Sequence, residues 1–289
     1  MKLGFIGLGV MGGHMVRHLT DKYEIIVFDV DRAKIDAATG ASAASSVADV
    51  GSQADVVLLS LPTSVIVEEV ATGADGLMTT LSSGNAVIDV STTEPVVAQR
   101  IAEALAERKI DFLDAPVSGG EGGARNATLS IMVGGDEEVF GRHKPILDII
   151  GRSVVRVGDT GAGGVAKLVN NMIVGSTFAV IAEAFALGKK CGLDPLMLYD
   201  AIKGGWAGSA VLNVAGPGIV RRDFKPGGSV DQIFKDIGYA LSLARTHNVP
   251  TPMTAVTDEI FKTARASGRG QQAQQVIIQL WEELLDLDG

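Results

Sequence analysis

The chain has 289 residues, 46% of them hydrophobic and 20% charged, with a formal net charge of −9 and one cysteine. That length supports about two domains with a substantial core, and the composition excludes intrinsic disorder. The negative charge argues against nucleic acid or an anionic membrane as partner, and a lone thiol excludes an internal disulfide framework and suits a reducing, cytoplasmic compartment.

In chain order, "KLGFIGLG" is a strand running into a glycine turn, and its regularly spaced glycines separate it from an export signal. "EIIVFDV", "ADVVLLSLP", "NAVIDVSTTEP", "DFLDAPVSGG", "TLSIMVGG" and "SVVRVG" follow as strands, with helical patterns such as "VVAQRIAEALAERK" between them. This alternation predicts an α/β, Rossmann-type doubly wound sheet over residues 1–161. The apolar runs lack strict alternation, as expected for strands covered on both faces.

From residue 162 the pattern turns helical and predicts an all-helical domain to residue 289, joined to the sheet domain by one long helix. That helix begins in "GAGGVAKLVNNMIVG", which reads as packed on all sides. Residues 172–187 form an apolar run that Glu183 interrupts, short of the ~20-residue membrane span. Glu183 is expected to satisfy a backbone or amide group within the bundle, and Cys191 to lie in the core. "PLMLYDAIKG", "IFKDIGYALSLARTH", "PMTAVTDEIFKTARAS" and "QVIIQLWEELLDL" supply the remaining helices.

Gly7, Gly9 and Gly12 in "GFIGLGVMG" have the G-x-G-x-x-G spacing, after a strand and at the start of a helical pattern. The first glycine permits a tight turn, the second lets a pyrophosphate approach the backbone, and the third lets helix and strand pack closely. The helix N-terminus offers N–H groups and a positive dipole to the phosphates. Asp29 ends the next strand, where a carboxylate accepts from an adenosine ribose and repels a 2′-phosphate. NAD is therefore the expected cofactor; Arg32, three residues on, leaves NADP possible. The residues at the remaining strand ends, including "LP", "STTEP" and "DAPVSGG", fall where open α/β sheets bind ligands.

Lys167, Asn170 and Asn171 share one face of the long helix, since positions i, i+3 and i+4 are neighbours. Gly163 and Gly164, one turn earlier, are expected to clear the approach. Ser118, Gly119 and Gly120 in "VSGG" offer a hydroxyl and backbone N–H groups as a cradle for a carboxylate. A proton carrier and an anion clamp beside a nicotinamide suit oxidation of an alcohol near a carboxylate. Desolvation would lower the Lys167 pKa and fit it for acid/base work. The plainer alternative is a lysine snorkelling at a helix start.

With "GFIGLGVMG", "DAPVSGG", "GAGGVAKLVNN" and "FKDIGYAL" together, the chain resembles the β-hydroxyacid dehydrogenases, the family of 3-hydroxyisobutyrate dehydrogenase and tartronate semialdehyde reductase, from about Lys2 to the last helix. The resemblance implies hydride transfer between NAD and the hydroxyl carbon of a small 3-hydroxy acid, or reduction of the matching semialdehyde. It implies Lys167 as the acid/base, Asn171 as a substrate anchor, and Ser118, Gly119 and Gly120 on the substrate carboxylate. The turn residues Gly7, Leu8, Gly9, Val10, Met11 and Gly12, with Asp29, would hold the cofactor. Leu61, Pro62 and Thr92 would touch its nicotinamide half, and Lys235 would reach over it from the helical domain. No metal and a homodimer or homotetramer built through the helical domain are also implied.

Related decarboxylating phosphogluconate enzymes carry a histidine and a glutamate where this chain has Asn170 and Val174, which argues against decarboxylation. Imine reductases of this fold typically lack the lysine. Ala273 and Gln275 stand where many relatives carry aspartate and serine. Two alternatives remain: an NADPH-linked glyoxylate or succinic semialdehyde reductase, which Asp29 disfavours, and a non-catalytic cofactor-binding scaffold, which the intact lysine disfavours. Trp206, in "GGWAGSAVL", would narrow the substrate pocket, or lie in the core or an interface.

Overall fold

The apolar runs of the first half fold as strands β1 (Lys2–Ile6), β2 (Glu24–Phe28), β3 (Ser42–Ala43), β4 (Val56–Leu59), β5 (Ala86–Asp89), β6 (Asp111–Asp114), β7 (Val117–Ser118), β8 (Leu129–Gly134) and β9 (Gly151–Gly158). Helices α1 (Val10–Leu19), α2 (Arg32–Ala37), α3 (Val47–Gln53), α4 (Ser64–Thr72), α5 (Pro95–Ala106), α6 (Gly120–Arg125) and α7 (Glu137–Ile150) alternate with them. This is a computed structural model, and it describes residues 1–225 and 227–287.

The sheet order is β3-β2-β1-β4-β5-β6-β8-β7, with β9 on β8. The pairs from β3 to β6 are parallel; β8 runs antiparallel to β6 and β7 and parallel to β9. "DFLDAPVSGG" is thus two strands, broken at Ala115 and Pro116.

Alternation within each strand explains why the runs are continuously apolar. Leu3, Phe5, Val56, Leu58 and Ile88 point into one core with Met15 and Leu19 of α1 and Ile146 of α7. Ile6, Val57, Leu59 and Val87 point into a second core with Val50 of α3, Val67 of α4 and Ile101 of α5. Successive strand residues face opposite ways, so a sheet covered on both sides needs apolar residues at every position.

The helical half comprises α8 (Ala162–Lys190), α9 (Pro195–Ile202), α10 (Ala210–Val220), α11 (Val230–Thr246), α12 (Pro252–Ala266) and α13 (Ile278–Leu285). The chain divides into two compact units, Met1–Lys167 and a second from Leu168 onward, and the division falls within α8.

At 29 residues, α8 is long and apolar enough to cross a membrane by length and composition, contrary to the expectation that its apolar run falls short. Its inner face accounts for that character: Phe178, Ala179, Ile181, Ala182 and Phe185 join Leu212, Ile233, Ile237 and Phe261 in the core of the second unit. Nor is it packed on all sides. Val165, Val169, Ile173, Val180 and Leu187 are exposed.

Three further expectations are corrected here. Cys191 is exposed, just past the end of α8 where the chain turns. Glu183 is exposed on α8 and faces solvent. Trp206 is fully exposed in the α9–α10 connection, which removes it from the core. On a one-sided helix the phase of the buried stripe decides burial, and it leaves Glu183 outside; Cys191 and Trp206 stand in turns, where no helical stripe reaches them. Near the far end of α8 the buried carboxylate of Glu282 of α13 meets the half-buried Lys189 at 3.1 Å and the exposed Arg222 at 2.7 Å.

Candidate active site

Phe28, Ile6, Leu59, Asp89 and Asp114 are successive partners across β2, β1, β4, β5 and β6, so these strands finish at one level. The loops that follow are where the sequence places its ligand-binding residues.

Gly7 leaves β1 with φ +97°, and a Cβ there would lie 2.2 Å from the Ser60 carbonyl oxygen. At Gly12 a Cβ would lie 1.9 Å from the Gly7 carbonyl oxygen, so α1 packs this close only with glycine. Gly9 differs: a Cβ there would meet nothing within 4 Å beyond its own chain neighbours. It is the N-cap of α1, and no side chain caps that helix. Leu8 is buried, Met11 half-buried and Val10 exposed. A glycine beside open space, with the first-turn N–H groups of a helix behind it, fits a dinucleotide pyrophosphate.

Asp29, just past β2, accepts the Leu8 N–H at 2.7 Å and the Asp31 N–H at 2.9 Å. A carboxylate has about four acceptor sites, so capacity remains for ribose hydroxyls. The cation beside it is Lys34, with Nζ 3.6 Å from Oδ1. Arg32, the sequence candidate for that place, is an exposed partner of Asp36 at 3.0 Å.

Past β4, the Leu61 N–H donates to Ser91 Oγ at 2.8 Å; Pro62 is exposed. The loop after β5 folds back on Asp89, which accepts the Ser91 N–H at 2.9 Å and the Thr93 hydroxyl at 2.5 Å. Thr92 lies half-buried between those two anchors. Ser118 ends β7 opposite Ser130, half-buried, and Gly119 and Gly120 turn the chain into α6 with φ of +137° and +60°.

Lys167 lies on the second turn of α8 and is 9% exposed. Gly163 and Gly164 do not clear an approach to it. A Cβ on Gly163 would lie 2.4 Å from the Met132 carbonyl oxygen, and one on Gly164 3.0 Å from that of Thr93. They let the helix start seat against the strand ends. The sequence reading also missed Asp114, whose buried carboxylate accepts the Gly161 N–H at 2.7 Å and the Gly164 N–H at 2.8 Å. Burial pushes this carboxyl up to about 6 and the Asp89 charge adds to that, against the lowering effect of the two glycine N–H groups.

In the second unit, Asn171 is buried; its Nδ2 donates to Asp236 Oδ2 at 2.6 Å, and its Oδ1 accepts from Asn170 at 2.9 Å. Lys235 Nζ lies 3.2 Å from Asp236 Oδ1 and 5.3 Å from the Tyr239 ring centre. Asp236 thus joins two expected site residues, and the motif "FKDIGYAL" displayed it without its role being read. Ala273 and Gln275 are both buried, and Gln275 donates to the Asp223 carbonyl at 2.9 Å.

Residues 2–158 match the family described as the NAD binding domain of 6-phosphogluconate dehydrogenase. Residues 161–281 match that described as the NAD-binding domain of NADP-dependent 3-hydroxyisobutyrate dehydrogenase. The chain is 39% identical to 2-(hydroxymethyl)glutarate dehydrogenase of Eubacterium barkeri, covering 98% of this chain and 96% of the relative. It is 36% identical to 2-hydroxy-3-oxopropionate reductase of Escherichia coli, covering 98% and 97%. The crystal structure of 3-hydroxyisobutyrate dehydrogenase from Salmonella typhimurium superposes with a TM-score of 0.88 at 28% identity, covering 97% of this chain and 99% of that one. Likeness along nearly the whole chain, to proteins of one kind, makes this chain a member of the β-hydroxyacid dehydrogenase family and an NAD(P)-dependent 3-hydroxyacid dehydrogenase.

Proposed function

We propose that the chain interconverts a small 3-hydroxy acid and its semialdehyde, with Lys167 as the acid/base. The observation that carries this reading is a buried lysine on a helix whose first turn seats at the level where the dinucleotide-type sheet ends its strands. Bound NAD supplies the hydride acceptor. Lys167 Nζ takes the hydroxyl proton during oxidation and returns it during reduction. Ser118, Gly119 and Gly120 hold the substrate carboxylate, and Asn171, oriented by Asp236, anchors the substrate. The names of the relatives above share a carboxylate with an oxygen function two carbons away, the spacing such a clamp and base would read.

The cofactor is held by Gly7, Leu8, Gly9, Val10, Met11 and Gly12 at the phosphates and Asp29 at the ribose. Leu61, Pro62, Thr92 and Lys235 serve its nicotinamide half. Residues 1–161 act as the cofactor domain, and residues 162–289 as the substrate and oligomerisation domain. The protein works as a cytoplasmic homodimer or homotetramer, and the uncovered apolar residues of α8 support an assembly through the helical domain. The test is a panel assayed with NAD and NADP separately: 3-hydroxyisobutyrate, glycerate, serine, threonate, 3-hydroxypropionate and sulfonate analogues. Turnover of at least one carboxylate is expected; inactivity on every 3-hydroxy acid would overturn the reading.

A further inference from the structure

α8 starts with two bare capping positions. The Gly161 carbonyl accepts the Val165 N–H at 3.0 Å, which makes Gly161 the N-cap, and Gly164 stands three residues on. At α11 the same two positions are Ser229 and Gln232, whose side chains bond each other's backbone N–H at 3.2 and 2.9 Å, a local capping box. Neither Gly161 nor Gly164 has a side chain to do this. Asp114, at the end of β6, satisfies both donors, one with each carboxylate oxygen.

The substitution has a steric reason. Gly161 holds φ +92°, which residues with side chains rarely adopt, and a Cβ on Gly164 would lie 3.0 Å from the Thr93 carbonyl oxygen; between them, a Cβ on Gly163 would lie 2.5 Å from the Asp114 carbonyl oxygen and 2.4 Å from that of Met132. The helix start is too close to the strand ends to carry capping side chains of its own, so the sheet supplies the cap. The choice of an acid is costly in isolation, since Asp114 is buried and its register partner is another buried acid, Asp89. A helix N-terminus and two N–H donors offset part of that cost.

We infer that Asp114 is a positioning residue for the reaction: its carboxylate completes a capping box on α8 from the sheet and thereby fixes where Lys167 stands. Lys167 follows Gly164 by three residues, about one turn of helix. Ser118 follows Asp114 by four along the chain. One side chain therefore ties the start of the base's helix to the strand that leads to the carboxylate clamp. The inference rests on the acid/base reading of Lys167.

The test is Asp114→Asn, which keeps the size but leaves one of the two N–H groups without an acceptor oxygen. Amide hydrogen exchange over residues 161–167 should quicken. Turnover per cofactor-binding site should fall by roughly ten-fold or more, the scale of one charge-assisted hydrogen bond. KM for NAD should hold, and the isotope effect with substrate deuterated at the carbinol carbon should rise. A merely structural role would lower the number of working sites and leave the isotope effect unchanged. Turnover per site within about two-fold of wild type, beside an inactive Lys167→Ala, would overturn the positioning role alone. An active Lys167→Ala would overturn the acid/base reading itself. If Asp114→Asn does not fold, the wild-type protein still decides: the Gly161 and Gly164 amides should exchange as slowly as those of β4, and exchange at loop rates would overturn the cap.

Discussion

Asp29 accepts the Leu8 N–H at 2.7 Å, so the residue proposed to receive the ribose also clamps the turn proposed to receive the phosphates. Asp29→Ala should therefore weaken both NAD and NADP, and NAD more. With wild-type protein, kcat/KM for NAD should exceed that for NADP by roughly ten-fold or more. In Asp29→Ala the ratio should narrow, because Lys34 then stands beside the ribose position without the opposing carboxylate. A wild-type preference for NADP would refute this assignment.

Lys167→Ala should lower kcat by ~10²–10⁴-fold, the usual range for losing a general acid/base. NAD affinity should barely change, because the glycine turn and Asp29 are untouched. Lys167→Arg should not restore turnover, since a guanidinium stays protonated and cannot accept the proton. Stopped-flow turnover with a separate titration of NAD binding checks both halves, and near-normal kcat in the alanine variant places the proton acceptor elsewhere.

Ser118→Ala should act on KM. A hydroxyl holding a carboxylate does so in the ground and transition states alike, so its loss raises KM by about ten-fold and leaves kcat nearly constant. Steady-state kinetics on any active 3-hydroxy acid decide the matter, and an unchanged KM moves the anion site away from this serine.

Asp114 gives stability a pH dependence of definite sign. Its folded carboxyl stands at about 6 against an ordinary 3.8, raised by burial first and by Asp89, the charged group facing it. A raised acid is held more tightly with its proton by the folded state. Its contribution is full below the unfolded value and is lost as pH rises through about 6. The displacement corresponds to ~3 kcal/mol. Against Asp114→Asn, which does not titrate, wild-type unfolding free energy should decline by that order between about pH 4 and pH 7. Parallel urea-denaturation curves for the two proteins across that range would show that Asp114 does not titrate this way.

Spacing and chemistry made the glycine turn, Asp29 and the strand–helix alternation legible, because each is local: a few adjacent residues carry the whole signal. Lys167 was legible as an ammonium out of place among small apolar neighbours. Asp114 was not, since its partners are backbone N–H groups of glycines 47 and 50 residues away, which leave no side-chain pattern. Asp236 was overlooked for a related reason, as the Asn171 amide it accepts lies 65 residues distant. Lys34 displaced Arg32 because helix α2 sends Arg32 to Asp36, an i,i+4 pairing that competes with the ribose end. Cys191 misled by type, and the core alternative for Trp206 did too: apolar character says that a residue gains from burial, while both stand in turns between helices, outside any buried stripe.

Glu282 is 5% exposed while holding Arg222 with both oxygens at 2.7 Å and Lys189 with one. The final helix is therefore clasped by charge as well as by oil. A premature stop that removed α13 would take away Ile278 and the anion together, leaving a guanidinium and an ammonium crowded at one spot with their shared counter-charge gone. Like-charge repulsion would then add to the lost apolar burial. Damage confined to the last dozen residues would be felt at the end of the same helix that carries Lys167, so truncated chains should be cleared by proteolysis rather than persist as weakened enzymes.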